Sequence, residues 1–217
     1  MLKLLTFVKN CKEGVLRATP KKPRETRRKK ILQTALEILP QRGFDGITLE
    51  SIADALGYTK PAIYYYFKNK DDLVCSLVTD YLKDAHQAIC AITDGNGSPK
   101  ERLIRIIHFY VDRNCEQRGY FTIDHHLGGV LRKMPHTAEA DNLRKLSLEI
   151  PSRLIKLINE GIQLGEFRDE DPAVLGSLIF SLLGGVLTHM EMPSLASLGV
   201  EGLKQRVCDF ALKGIVV

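Results

Sequence analysis

A chain of 217 residues with 44% hydrophobic and 26% charged side chains has room for one large domain or two modest ones, and its composition excludes global disorder. No apolar run approaches the roughly 20 residues of a membrane-spanning helix, and the short stretch 4–8 leads to no small-residue cleavage pattern, so no export signal is read. The net charge of +5 is uneven: residues 1–30 carry eleven Lys/Arg against Glu13 and Glu25, a net of +9, which leaves −4 for residues 31–217.

A basic end on a mildly acidic body suits a polyanion-binding terminus, and residues 1–20 suit a solvated tail equally well. Cys11, Cys75, Cys90, Cys115 and Cys208 are scattered and odd in number. That pattern fits reduced thiols and a cytoplasmic location better than a disulfide frame or a zinc site.

The segment ATPKKPR at 18–24 reads as a linker. From Glu25, Ile31, Leu32, Ala35, Leu36 and Leu39 recur at helical spacing. Arg27, Arg28, Lys29 and Lys30 crowd the start of this helix, where cations oppose the macrodipole, so contact with phosphates is the favoured reason for them. Pro40 is expected to end or kink the helix. Thr48 is an N-cap, with Ile52, Ala53 and Leu56 facing inward and Gly57 terminating. Thr59 and Pro61 open a third helix. Ile63 and Phe67 share one face of it, while Pro61, Tyr64, Tyr65 and Lys68 lie opposite, with Lys60 at the border. Successive helical residues point 100° apart, so three consecutive tyrosines cannot all face one core. An apolar back and a front of tyrosines and lysines suit a helix placed in a DNA major groove.

Asn69 caps a long fourth helix running to about Thr93, the natural lever between the two parts of the chain. Ser98 and Glu101 form a capping box for a fifth, which Gly119 is expected to end. A shorter apolar segment covers 123–131, interrupted by Gly128 and Gly129. The next helix spans 137–164, with Pro151 expected to kink it. Asp171–Pro172 starts a helix over 173–190 that is apolar nearly all round and so does not suit the surface of a monomer. A last helix covers 201–213. No β signal and no internal repeat is present.

Residues 25–73 resemble the DNA-binding domain of the TetR (tetracycline repressor) family of bacterial transcriptional regulators. The resemblance is carried by RGF at 42–44, ITLESIADALG at 47–57 and YTKPAIYYYFKNKDDL at 58–73; Pro40 departs from the small or apolar residue usual at its position. The resemblance implies that Lys60, Pro61 and Ala62 approach base edges, that Thr48, Tyr64, Tyr66 and Lys70 touch phosphates, and that Tyr65 does either. Glu50 is a poor base contact, since a carboxylate accepts only from cytosine and is repelled by the backbone. GEF at 165–167 and DP at 171–172 also resemble this family.

The expected protein is therefore all-α. A basic tail (1–23) precedes a three-helix helix-turn-helix domain (24–70) and a C-terminal helical domain (71–217) for ligand binding and dimerisation. The resemblance implies a small-molecule inducer and pairing through the last two helices, about 173–213. Gly184–Gly185 on the apolar penultimate helix suits such a self-complementary interface, and two recognition helices about 34 Å apart would read a palindromic operator in double-stranded DNA. Phe109, Phe121, His125, Leu154 and Ile158 are the candidate pocket residues; plain core is the alternative for them. A cavity among them would be mainly apolar and suit an apolar or amphipathic ligand.

No metal, cofactor or enzymatic activity is expected. His125 and His126 beside Asp124 point about 100° apart on a helix, and no GxSxG or P-loop occurs. Cys115, between Arg113 and Arg118, offers a thin redox possibility. Two rivals to the ligand-released repressor are a DNA-binding dimer governed by a protein partner and a helical small-molecule binder without DNA affinity.

Overall fold

In the computed structural model, which describes residues 23–216, five helices begin where a side chain receives an orphan amide. The first helix, α1 (Pro23–Gly46), is followed by α2 (Leu49–Leu56), α3 (Lys60–Tyr64) and α4 (Lys70–Thr93). Next come α5 (Pro99–Glu116), α6 (Arg118–Lys133), α7 (Ala138–Gln163) and α8 (Pro172–Thr188), then the single-turn α9 (Pro193–Ala196) and α10 (Gly199–Ile215). Thr48 and Ser98 close full capping boxes with Ser51 and Glu101. Asn69, Thr137 and Asp171 cap α4, α7 and α8. Among the described residues the one β pairing is an isolated bridge between Phe167 and Val216. The expected basic tail, apart from Pro23, lies outside the described residues, as does Cys11.

Two hydrophobic cores organise these helices. The first gathers Leu36, Ile52, Ile63 and Phe67 of the helix-turn-helix with Leu77 and Tyr81 of α4, Ile123 and Leu131 of α6 and Leu143 of α7. It runs without interruption past residue 70, so the head is packed onto α4 and α6. The second joins the C-terminal half of α4 to α5, α7, α8 and α10 through Ile89, Ile107, Ile158, Leu183 and Val207. Helix α4 contributes to both.

Several local expectations are corrected. Pro40 stays inside α1, and the helical path breaks instead at Gly43, whose φ of 62° suits glycine. A proline has no amide, so the Leu36 carbonyl loses its helical donor. Gly119 does not end α5: it is buried in the first turn of α6, directly on that exposed backbone, where a Cβ would come within 2.3 Å of the Leu36 oxygen. Gly128 and Gly129 likewise do not interrupt α6, which is continuous to Lys133. Pro151 sits within α7 without dividing it.

Candidate nucleic-acid interface and effector cavity

The helix-turn-helix places its chemistry by local bonds. Thr48 Oγ1 accepts the Ser51 amide at 3.0 Å, which fixes the start of α2. Gly57, with a φ of 65°, ends α2. The turn then delivers Lys60 and Pro61 to the start of α3, both exposed, with Ala62 half-buried beside them. Ile63 and Phe67 are buried beneath. Tyr64 and Tyr65 are exposed, and Tyr66 is half-buried against Tyr65 with ring centres 5.1 Å apart. Lys70 Nζ donates to the Asp45 carbonyl at 2.7 Å, a bond that ties α4 to the end of α1.

Two partners of this face do not follow from the sequence pattern. Tyr64 donates its hydroxyl to Glu50 Oε1 at 3.0 Å. Glu50 is held below the usual carboxylate range by its own backbone hydrogen bond and then by Tyr64, and the same carboxylate raises the Tyr64 phenol. Arg24 lies over the Tyr65 ring at 5.1 Å, which extends the cationic edge from α1 onto the tyrosines. Neither partner is visible at helical spacing, because both bridge elements. The basic run at the start of α1 also divides. Arg28 turns inward, donating to Ser76 Oγ at 2.8 Å and covering the Phe67 ring, whereas Arg27, Lys29 and Lys30 are exposed.

A cavity of about 230 Å³ opens between the two cores, walled by α4, α5, α6, α7 and α8. Ala85, Ile89, Ile106, Leu154, Phe180 and Leu183 make most of it apolar. One end is polar. Tyr81 of α4 donates to Asp124 Oδ1 at 2.8 Å, and Tyr110 of α5 donates to Oδ2 of the same carboxylate on α6. Burial, followed by the nearby Asp124 charge, pushes both phenols up, so they remain donors at neutral pH. Beside them the Arg113 guanidinium lies over the adjoining Tyr81 and Tyr120 rings at 4.4 and 4.5 Å.

Of the pocket residues read from sequence, Phe109 and Leu154 line this cavity. Ile158 is fully buried in the second core. Phe121 and His125 pair with each other, rings 5.9 Å apart, and His125 is exposed on α6. They do not line it, because α6 presents Asp124 and Leu127 to the cavity instead. The polar cluster escapes sequence reading because its members lie on three helices, with nothing in their spacing to join them. At Cys115 burial and then Asp112 raise the thiol, outweighing Arg118 and Lys204. Among the described residues no three His, Cys, Asp or Glu side chains converge as a metal site, and no helix is long and apolar enough to cross a membrane.

Comparison with known proteins agrees with this arrangement. The N-terminal model of bacterial regulatory proteins of the tetR family matches residues 31–77, and a tetracyclin repressor-like C-terminal domain matches residues 96–188. The HTH-type transcriptional repressor NicS of Pseudomonas putida is 28% identical over 143 residues, about two thirds (66%) of each chain. A TetR/AcrR-family regulator from Thermobifida fusca superposes with a TM-score of 0.61 at 27% identity, covering 87% of this chain and 98% of that one. The ketosteroid transcriptional regulator KstR2 of Mycobacterium tuberculosis shares the fold, with a TM-score of 0.75 at 20% identity over 88% of this chain and 95% of its own. The chain belongs to the TetR family of bacterial regulatory proteins. It is a DNA-binding transcriptional regulator, all-α, and not an enzyme.

Proposed function

We propose that the protein is a cytoplasmic repressor that holds a palindromic operator as a homodimer and leaves it when an apolar or amphipathic small molecule fills the cavity between its two cores. Lys60, Pro61 and Ala62 read base edges in the major groove. Thr48, Tyr64, Tyr66 and Lys70 fix the backbone, and Tyr65 works with Arg24 at the rim. Repression, rather than activation, is favoured by the role of the Pseudomonas relative. Dimerisation is supported by Val174 and Leu178 on α8 and Phe210 on α10, large apolar side chains that a single chain leaves exposed.

The observation that carries the reading is the position of α6. Its Asp124 joins α4 and α5 at the polar end of the cavity, and its first turn rests through Gly119 on the Leu36 backbone of α1. A ligand that prefers a different placement of α6 therefore shifts the head. By linkage, it lowers operator affinity by the same factor by which the operator lowers ligand affinity. A gel shift with duplex DNA from beside the protein's own gene tests the DNA half of this reading. A retarded band that survives excess scrambled duplex is expected; equal competition by scrambled and specific DNA would refute it. Sedimentation at micromolar concentration should give a dimer mass, and a monomer would remove the interface from the account.

A further inference from the structure

We infer that Arg24 enters the minor groove of an A·T-rich flank just outside each operator half-site, a second base contact separate from the major-groove reading by α3. The inference rests on the operator reading above and deepens it by adding a base preference at positions that α3 does not reach. It starts from what borders each end of α3. Lys60 and Pro61 stand at its N-terminal end. The start of α1 borders the other end: Arg24 lies over the Tyr65 ring at 5.1 Å and, one turn later, Arg28 lies over the Phe67 ring at 5.3 Å. Arg28 is half-buried and engaged with Ser76. Arg24 and Tyr65 are both exposed, and no ion pair among the described residues uses Arg24.

Distance sets this cation at the edge of the groove that α3 reads. From Lys60 to Tyr65 the helical path is about 7.5 Å at 1.5 Å per residue, whereas half the width of the major groove is about 6 Å. With Lys60 over the base edges, Tyr65 stands at the phosphate wall. The guanidinium stacked on its ring from the α1 side then borders the adjoining minor groove. Chemistry selects the sequence there. An A·T pair presents only acceptors in that groove, adenine N3 and thymine O2, while a G·C pair adds the guanine N2 amino donor. A guanidinium carries donors alone, and the narrow groove of A·T tracts concentrates negative potential. Stacking on Tyr65 restrains the side chain before DNA arrives, so less rotamer freedom is lost on insertion.

The test uses the full-length protein and an operator duplex selected from a random library. The base pairs immediately outside each half-site are made A·T, G·C or inosine·cytosine. Inosine lacks the N2 amino group, so its pair with cytosine resembles A·T in the minor groove and G·C in the major groove. Fluorescence anisotropy should give equal affinity for A·T and inosine·cytosine flanks, and about tenfold weaker binding to G·C flanks. Arg24→Ala should bind all flanks alike, while substitutions inside the half-site cost it as much as they cost wild type. Inosine·cytosine behaving like G·C would overturn the inference and assign the flank to a major-groove contact. Equal wild-type affinity for every flank, with half-site substitutions still costly, would overturn it and leave the operator reading in place. Indifference to half-site substitutions as well would overturn both. A flank preference that survives in Arg24→Ala, with or without uniform weakening, would overturn the assignment to Arg24.

Discussion

The helix-turn-helix head and the cavity between the two cores solve the same problem, the placement of polar groups, in opposite ways. In the head they lie outside, and each is anchored by a partner close in sequence or at an element end: Thr48 by Ser51, Tyr64 by Glu50, Lys70 by the Asp45 carbonyl. In the cavity they lie inside and come from different helices, with Tyr81, Tyr110 and Asp124 meeting only because α4, α5 and α6 pack together. The head's reading groups should therefore be removable with little loss of stability, while the cavity's polar groups are bound up with the fold. A regulator needs both properties.

The hardest test of that contrast is the contact between the two regions. Gly119→Ala would drive a Cβ into the Leu36 backbone, which cannot rotate aside as a side chain could. A loss of about 1–3 kcal/mol in urea unfolding is expected from such overpacking, together with weaker operator binding. Unchanged stability would mean that α6 does not bear on α1. Tyr110→Phe comes next. It strips a donor from the half-buried Asp124 carboxylate, and an unmade hydrogen bond of this kind costs about 1 kcal/mol or more; an unfolding midpoint equal to wild type would show that water replaces the hydroxyl.

Within the head the expected losses are of DNA affinity. Lys60→Ala should relax preference at one or two base pairs, about tenfold each by the usual value of a base contact, with the unfolding midpoint within about 0.5 kcal/mol of wild type. Identical footprints would remove Lys60 from the groove. Thr48→Ala sharpens the contrast, because Thr48 is at once a proposed phosphate contact and the cap of α2. It alone in this group should lose stability, about 1 kcal/mol, seen by thermal melting. Tyr64→Phe is the mildest. It frees Glu50 and should weaken specific and scrambled duplexes by the same few-fold factor, without moving the salt slope.

The legibility of the two regions follows from the same difference. Caps, the Gly57 turn, the buried Ile63–Phe67 pair and the exposed Tyr64 and Tyr65 are all set by neighbours within a few residues, so periodicity and capping chemistry reveal them. The start of helix α8 is legible for a similar reason, since Asp171 caps it and Pro172 follows, while Val174 and Leu178 on its outer face stay exposed in the single chain. In the sequence, Asp124 stands out only beside a histidine pair, and Arg113 only as a neighbour of Cys115. Their actual partners lie on other helices. Pro40 and Gly119 show the limit most clearly. Each reads as a helix terminator on local grounds, whereas tertiary packing uses one to expose a carbonyl and the other to fit against it.

The central claim is that occupancy of the cavity and occupancy of the operator oppose one another. Ala85 on α4 faces the cavity and is buried, so Ala85→Trp would place a permanent apolar occupant there. The decisive measurement is fluorescence anisotropy of an operator duplex titrated with the folded Ala85→Trp variant. A loss of tenfold or more in affinity relative to wild type, with cooperative unfolding retained, is the predicted result. A folded variant that binds the operator as tightly as wild type would contradict the account.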